Sequence, residues 1–117
     1  MLTQRRDMVR AGYRAPVTYV VLPETDRQQS TTFDISGDGI GLLTERVLAP
    51  WTQLQVALRL PGREQPVHVI GQVVSSRIQS TEDRTQRTRA VLTGLRITEI
   101  APSDRDTLTE FVTSQLT

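Results

Sequence analysis

Asp34, Ser36 and Gly39 stand in the order DxSxxG within the stretch Phe33-Asp34-Ile35-Ser36-Gly37-Asp38-Gly39. In an extended chain Phe33 and Ile35 point to one face, which sets the Asp34 carboxylate and the Ser36 hydroxyl side by side on the other. Gly37-Asp38-Gly39 then allows a tight turn with φ > 0 and a close approach by a flat ligand. Two readings follow. Asp34 and Ser36 form a recognition pair beside an open backbone, or they cap a β-turn by hydrogen bonding to local amides.

A second group lies upstream, where Arg6-Asp7-Met8-Val9-Arg10 forms an RxxxR with Arg5 directly before it. Guanidinium forks match phosphate oxygens or base edges in a plane, as lysine cannot. Spacing alone does not select this pair, because Arg10/Arg14 and Arg59/Arg63 share it. All 14 basic residues are arginine, and they are spread along the whole chain, so the skew reads as coding bias rather than as a signal.

The rest of the composition narrows the chemistry. There is no cysteine, hence no disulfide, thiolate metal site or cysteine nucleophile. The one histidine, His68, makes neither a metal site nor a general base by itself and is expected on the outer face of a strand. No nucleophile, base and orienting group occur together, so no enzyme is expected and no metal or cofactor is called for. A net charge of +1 and five aromatic residues (one Trp, two Tyr, two Phe) argue against a polymeric nucleic-acid groove. No window approaches the apolar length of a membrane span, and the chain is expected to be soluble and cytoplasmic.

The elements that must hold these groups follow from pattern. A chain of 117 residues fits one domain. Residues 1–15 are polar and basic and read as an arm, with residues 16–117 forming the body. Arg14 is expected to be solvent-exposed. Short β-like runs follow in PVTYVVL, STTFDIS and GIGLLT. Leu54, Val56, Leu58 and Leu60 alternate with Gln55, Ala57 and Arg59, giving a strand with one buried face, and Pro61-Gly62 closes it as a turn. A strand runs from Val67 to about Ser76 and another from Ala90 to Ile97, with the polar RIQSTEDRTQRTR between them read as a long, mobile and solvated hairpin loop. Trp51 is expected as a core or edge anchor. In the tail, Pro102 and a Ser103 N-cap open a helix whose Leu108, Phe111, Val112 and Leu116 form one apolar stripe for packing on the sheet.

The order of these parts is a basic RRxxxR arm, five residues, Pro16-Val17 opening a strand, and DxSxxG ending the next. It resembles the PilZ family of bacterial cyclic di-GMP (c-di-GMP) receptors, and the resemblance extends to LAPWTQLQVALRLPG and VLTGLRITEIAPSDRDTLTEFV. Ala11 and Gly12 depart from it where a branched apolar residue is more usual, as do Leu95 and Ile97 where phenylalanine is frequent.

The resemblance implies a six-stranded antiparallel β-barrel with a flexible basic N-terminal arm and a C-terminal helix. It implies c-di-GMP as ligand, with Arg6 and Arg10 in the family's arginine positions, Arg5 assisting, and Asp34, Ser36 and Gly39 in those of its second motif. It further implies an arm that orders on binding and signals to a downstream protein. A PilZ-fold interaction module with little or no nucleotide affinity is the alternative. Neither reading involves a nucleic-acid polymer or membrane insertion.

Overall fold

The computed structural model describes residues 10–82 and 87–115. Seven strands and one helix follow in chain order: β1 (Arg10–Ala11), β2 (Pro16–Val21), β3 (Arg27–Ser36), β4 (Gly39–Thr44), β5 (Gln53–Leu58), β6 (Val67–Glu82), β7 (Arg87–Ile100) and α1 (Pro102–Ser114). All pairings are antiparallel, in the order β1-β3-β2-β5-β6-β7-β4. The additional β3–β4 pairing closes β2 to β7 into a six-stranded barrel and leaves the two-residue β1 on β3. Closure removes the free sheet edges that a half-apolar strand set would otherwise expose.

Period-2 alternation turns directly into the core. Val17, Tyr19 and Val21 of β2, and Leu54, Val56 and Leu58 of β5, are all buried, with Leu60 just beyond the strand. Val67, Val69 and Val73 of β6 join them, as do Ile40 and Leu42 of β4 and Leu95 of β7. Gly62 has φ 77°, as the Pro61-Gly62 turn requires. His68 is exposed, in line with an outer strand face, and Arg14 is exposed as well.

The helix packs on the barrel through Leu108, Phe111 and Val112, all buried. Leu116 lies outside the described residues. The expected Ser103 cap is not found. Ala101 occupies the N-cap without a side-chain bond, Pro102 takes the first turn, and Ser103 lies inside the helix. Proline at N1 needs no N–H partner, so the helix can begin without a capping hydroxyl. First-turn Asp104 accepts the backbone N–H of His68 at 3.1 Å, joining α1 to β6.

Two further expectations are corrected. Most of the expected hairpin loop RIQSTEDRTQRTR is strand: β6 and β7 remain paired out to Glu82↔Arg87, and residues 83–86 lie outside the described residues. Its polarity reflects a hairpin that projects past the barrel with solvent on both faces, so no apolar alternation marks it. Trp51 is not a core anchor: it is 67% exposed, has φ 74°, and is tied down by its backbone N–H, which donates to the Val73 carbonyl at 2.9 Å.

Candidate ligand-binding site

The DxSxxG segment forms the end of β3, the turn and the start of β4. Its hub is the Ser36 hydroxyl, 1% exposed. Ser36 Oγ accepts the Gly39 N–H at 3.0 Å and the Asp38 N–H at 3.4 Å, and donates to Asp38 Oδ1 at 2.8 Å. The turn-capping reading therefore describes Ser36. Asp38 in turn accepts the Ile97 N–H through its carbonyl at 2.8 Å, which fixes the turn to β7.

The glycines act differently from expectation. Gly62 is the one described glycine with positive φ, so neither Gly37 nor Gly39 is selected by left-handed backbone. Gly39 is required by proximity: a Cβ there would lie 2.9 Å from the Leu95 carbonyl oxygen. At Gly37 a Cβ would meet nothing within 4 Å.

Strict alternation also fails at Phe33. The β3–β4 register runs Thr32↔Leu42 and then Asp34↔Gly41, so Phe33 is an extra residue in a β-bulge. Thr32 and Ile35 are fully buried, whereas Phe33 and Asp34 are half-buried and share the Gly41 side. A Cβ on Gly41 would lie 2.5 Å from Phe33 Cζ and 2.7 Å from Asp34 Oδ1. Phe33 thus stands beside Asp34 rather than with Ile35. Because Ile40 and Leu42 point into the core, Gly41 faces the outer side of the barrel, where Phe33 and Asp34 cover it and Asp34 Oδ1 is itself buried.

The arm reaches this surface through its backbone. Arg10 pairs with Ser36 and Ala11 with Ile35, continuing the edge of β3 that β2 occupies farther back. Between β1 and β2 the chain detours, and buried Thr32 bridges the gap: its Oγ1 accepts the Ala15 N–H at 2.8 Å and donates to the Tyr13 carbonyl. Tyr13 packs edge-on against Phe111 of α1, with ring centroids 5.0 Å apart. Arg5 and Arg6 lie outside the described residues.

Two cations that sequence spacing did not select also border the turn. Arg96 of β7 pairs with Gly39 and donates to Gln72 Oε1 at 2.9 Å; Arg105 of α1 donates to the Gly37 carbonyl at 3.3 Å. Arg105 lies 68 residues from its partner, so no local pattern could have announced it. Among the described residues no group of three or more His, Asp or Glu is arranged to hold a metal ion, and no helix is long and apolar enough to cross a membrane.

Residues 4–114 match the PilZ domain family, with both motifs inside the matched span. The chain belongs to the PilZ domain family. The solved PilZ domain with c-di-GMP of YcgR from Escherichia coli is similar at a TM-score of 0.76 and 18% identity, over 97% of this chain and 92% of that one. The Bacillus subtilis inhibitor of motility, MotI/DgrA, is similar at a TM-score of 0.69 and 20% identity, and MrkH, a c-di-GMP-dependent transcription regulatory factor from K. pneumonia, at 0.77 and 14%. The matches cover 97% and 98% of this chain, which spans 52% of each of those two proteins. These likenesses establish the barrel. No curated protein is significantly similar to the chain.

Proposed function

We propose that this PilZ domain is a receptor for c-di-GMP, bound on the outer barrel surface around the DxSxxG turn and signalling to a partner protein. The observation that carries the reading is the backbone pairing of Arg10, the second arginine of the RxxxR, with Ser36 of the second motif. The c-di-GMP held by the similar PilZ domain of YcgR supports the ligand class.

The roles follow from chemistry. Asp34 accepts from the guanine N1 and N2 donors. Arg6 and Arg10, with Arg5 assisting, bond to guanine O6 and N7 or to phosphate oxygens. Ser36 acts chiefly by shaping the turn, and Gly39 by letting β4 lie against β7. Residues 1–15 serve as the arm that orders over the ligand, and the partner protein reads the altered surface of the 16–117 body.

Isothermal titration of the purified chain with c-di-GMP tests this. Saturable heat is expected, and Arg6→Ala or Arg10→Ala should lose about 1–3 kcal/mol of binding with the fold intact, because each removes a bidentate donor. Absence of heat and of a thermal shift in excess ligand refutes the receptor reading. Unchanged affinity in both variants refutes the arginine assignment alone.

A further inference from the structure

The bulge that turns Phe33 outward gives the site a group for which the DxSxxG pattern has no place. Inserting one residue between Thr32↔Leu42 and Asp34↔Gly41 makes Phe33 and Asp34 neighbours on one side of the sheet. The side chain missing from Gly41 makes room for both: Phe33 Cζ, Phe33 Cε1 and Asp34 Oδ1 all fall within 2.7 Å of the point a Cβ would occupy. An apolar ring is thereby left partly exposed next to a carboxylate, although the adjacent Thr32 and Ile35 positions are fully buried.

Phe33 is the aromatic residue that stands beside Asp34 over Gly41. Tyr19 and Phe111 are buried in the core, Tyr13 packs on Phe111, and Trp51 stands beside Val73. A carboxylate and an aromatic face side by side are complementary to a purine, whose edge offers donors in the ring plane and whose face stacks.

We infer that Phe33 is the base-stacking residue of this site: its ring is the platform for the guanine whose N1 and N2 donors Asp34 accepts. The inference rests on the guanine-nucleotide reading above and adds the group that grips the base by its face. Covering Gly41 is the competing role for the ring, and it requires bulk but no π system.

Two variants separate these roles. Phe33→Leu keeps apolar cover over Gly41 and removes the stack, so c-di-GMP should bind about 5- to 50-fold more weakly while thermal stability changes little. Phe33→Trp in a Trp51→Phe background places the only indole at the site. It should retain affinity, and its emission should be quenched as c-di-GMP saturates. If the wild-type chain binds c-di-GMP and Phe33→Leu binds equally well, the stacking role is overturned while the receptor reading stands. Emission that saturating ligand leaves unchanged overturns it even if Phe33→Leu misfolds. If the wild-type chain does not bind c-di-GMP, the receptor reading fails and the stacking role fails with it.

Discussion

Ser36→Ala removes the oxygen around which the signature turn is built, and the consequences can be apportioned among its partners. The Asp38 carboxylate is on an exposed residue and regains water when it loses the Ser36 hydroxyl, so that bond at 2.8 Å contributes little to the net change. The Asp38 N–H interaction is long, at 3.4 Å, and weak. Gly39 differs: its N–H donates to Ser36 Oγ at 3.0 Å from a half-buried position.

Leaving that donor poorly hydrated costs about 1–2 kcal/mol, the lower part of the range for an orphaned buried group. For a domain of this size the loss lowers Tm by roughly 3–8 °C. Thermal unfolding followed by circular dichroism measures it, with Asp38→Ala as the comparison expected to fall by less than half as much. A Ser36→Ala midpoint within about 1 °C of wild type, against a predicted shift several times larger, would refute the claim that this hydroxyl organises the turn.

Three other perturbations probe the remaining supports. Gly39→Ala drives a methyl against the Leu95 carbonyl and should cost about 1–3 kcal/mol, whereas Gly37→Ala meets open space and should be near neutral; denaturant midpoints of the pair give the comparison. Leu108→Ala empties a fully buried site under α1 and should cost about 2–5 kcal/mol in a single cooperative transition, whereas a separate early loss of helix signal would show that α1 does not share the core. Burial, opposed by the Glu45 N–H that its hydroxyl accepts, raises the Tyr19 pKa above the ordinary tyrosine value. The folded chain then holds a proton that the unfolded chain releases, so Tyr19 contributes stability below about pH 10 that is lost as pH rises through its folded pKa. Tyr19→Phe should flatten that part of the alkaline decline in guanidinium titrations, and an equal decline in both chains would exclude the assignment.

How much the sequence disclosed depends on what signals burial. Leu54, Val56 and Leu58, or Leu108, Phe111 and Val112, announce their elements because one face of each is covered and the other is wet. The β6–β7 extension carries no such mark: its ladder is satisfied by backbone bonds while the consecutive residues 77–80 are all exposed. The order of the motifs disclosed the family, yet the geometry of the second motif was only half legible. Alternation set Asp34 opposite the buried Ile35 correctly, then failed at Phe33, because a bulge is set by the fit of two strands and not by the residues of one, and Ser36, expected beside Asp34, is buried in the turn instead. The contacts of Leu95 and Arg105 with the turn join positions far apart in the chain, and local spacing holds no record of them.

Those long-range contacts bear on how a ligand at this surface could be sensed. The four-residue turn is held from three directions: Arg10 of β1 pairs with Ser36, Ile97 of β7 donates to the Asp38 carbonyl, and Arg105 of α1 donates to the Gly37 carbonyl. These supports differ in strength. The Ile97 bond, at 2.8 Å, belongs to the barrel frame, and the Gly39–Leu95 approach keeps that side rigid. The Arg105 bond is longer, at 3.3 Å, and made by an exposed side chain that loses little by exchanging the carbonyl for water or a phosphate oxygen. A two-residue β1 has few backbone bonds to give up. If the turn takes an anion as proposed above, that anion would meet a fixed barrel on one side and two easily altered attachments on the other, and Arg10 and α1 would be the parts to respond. Tyr13 against Phe111 already ties the segment after β1 to that helix, giving the two attachments a shared packing contact.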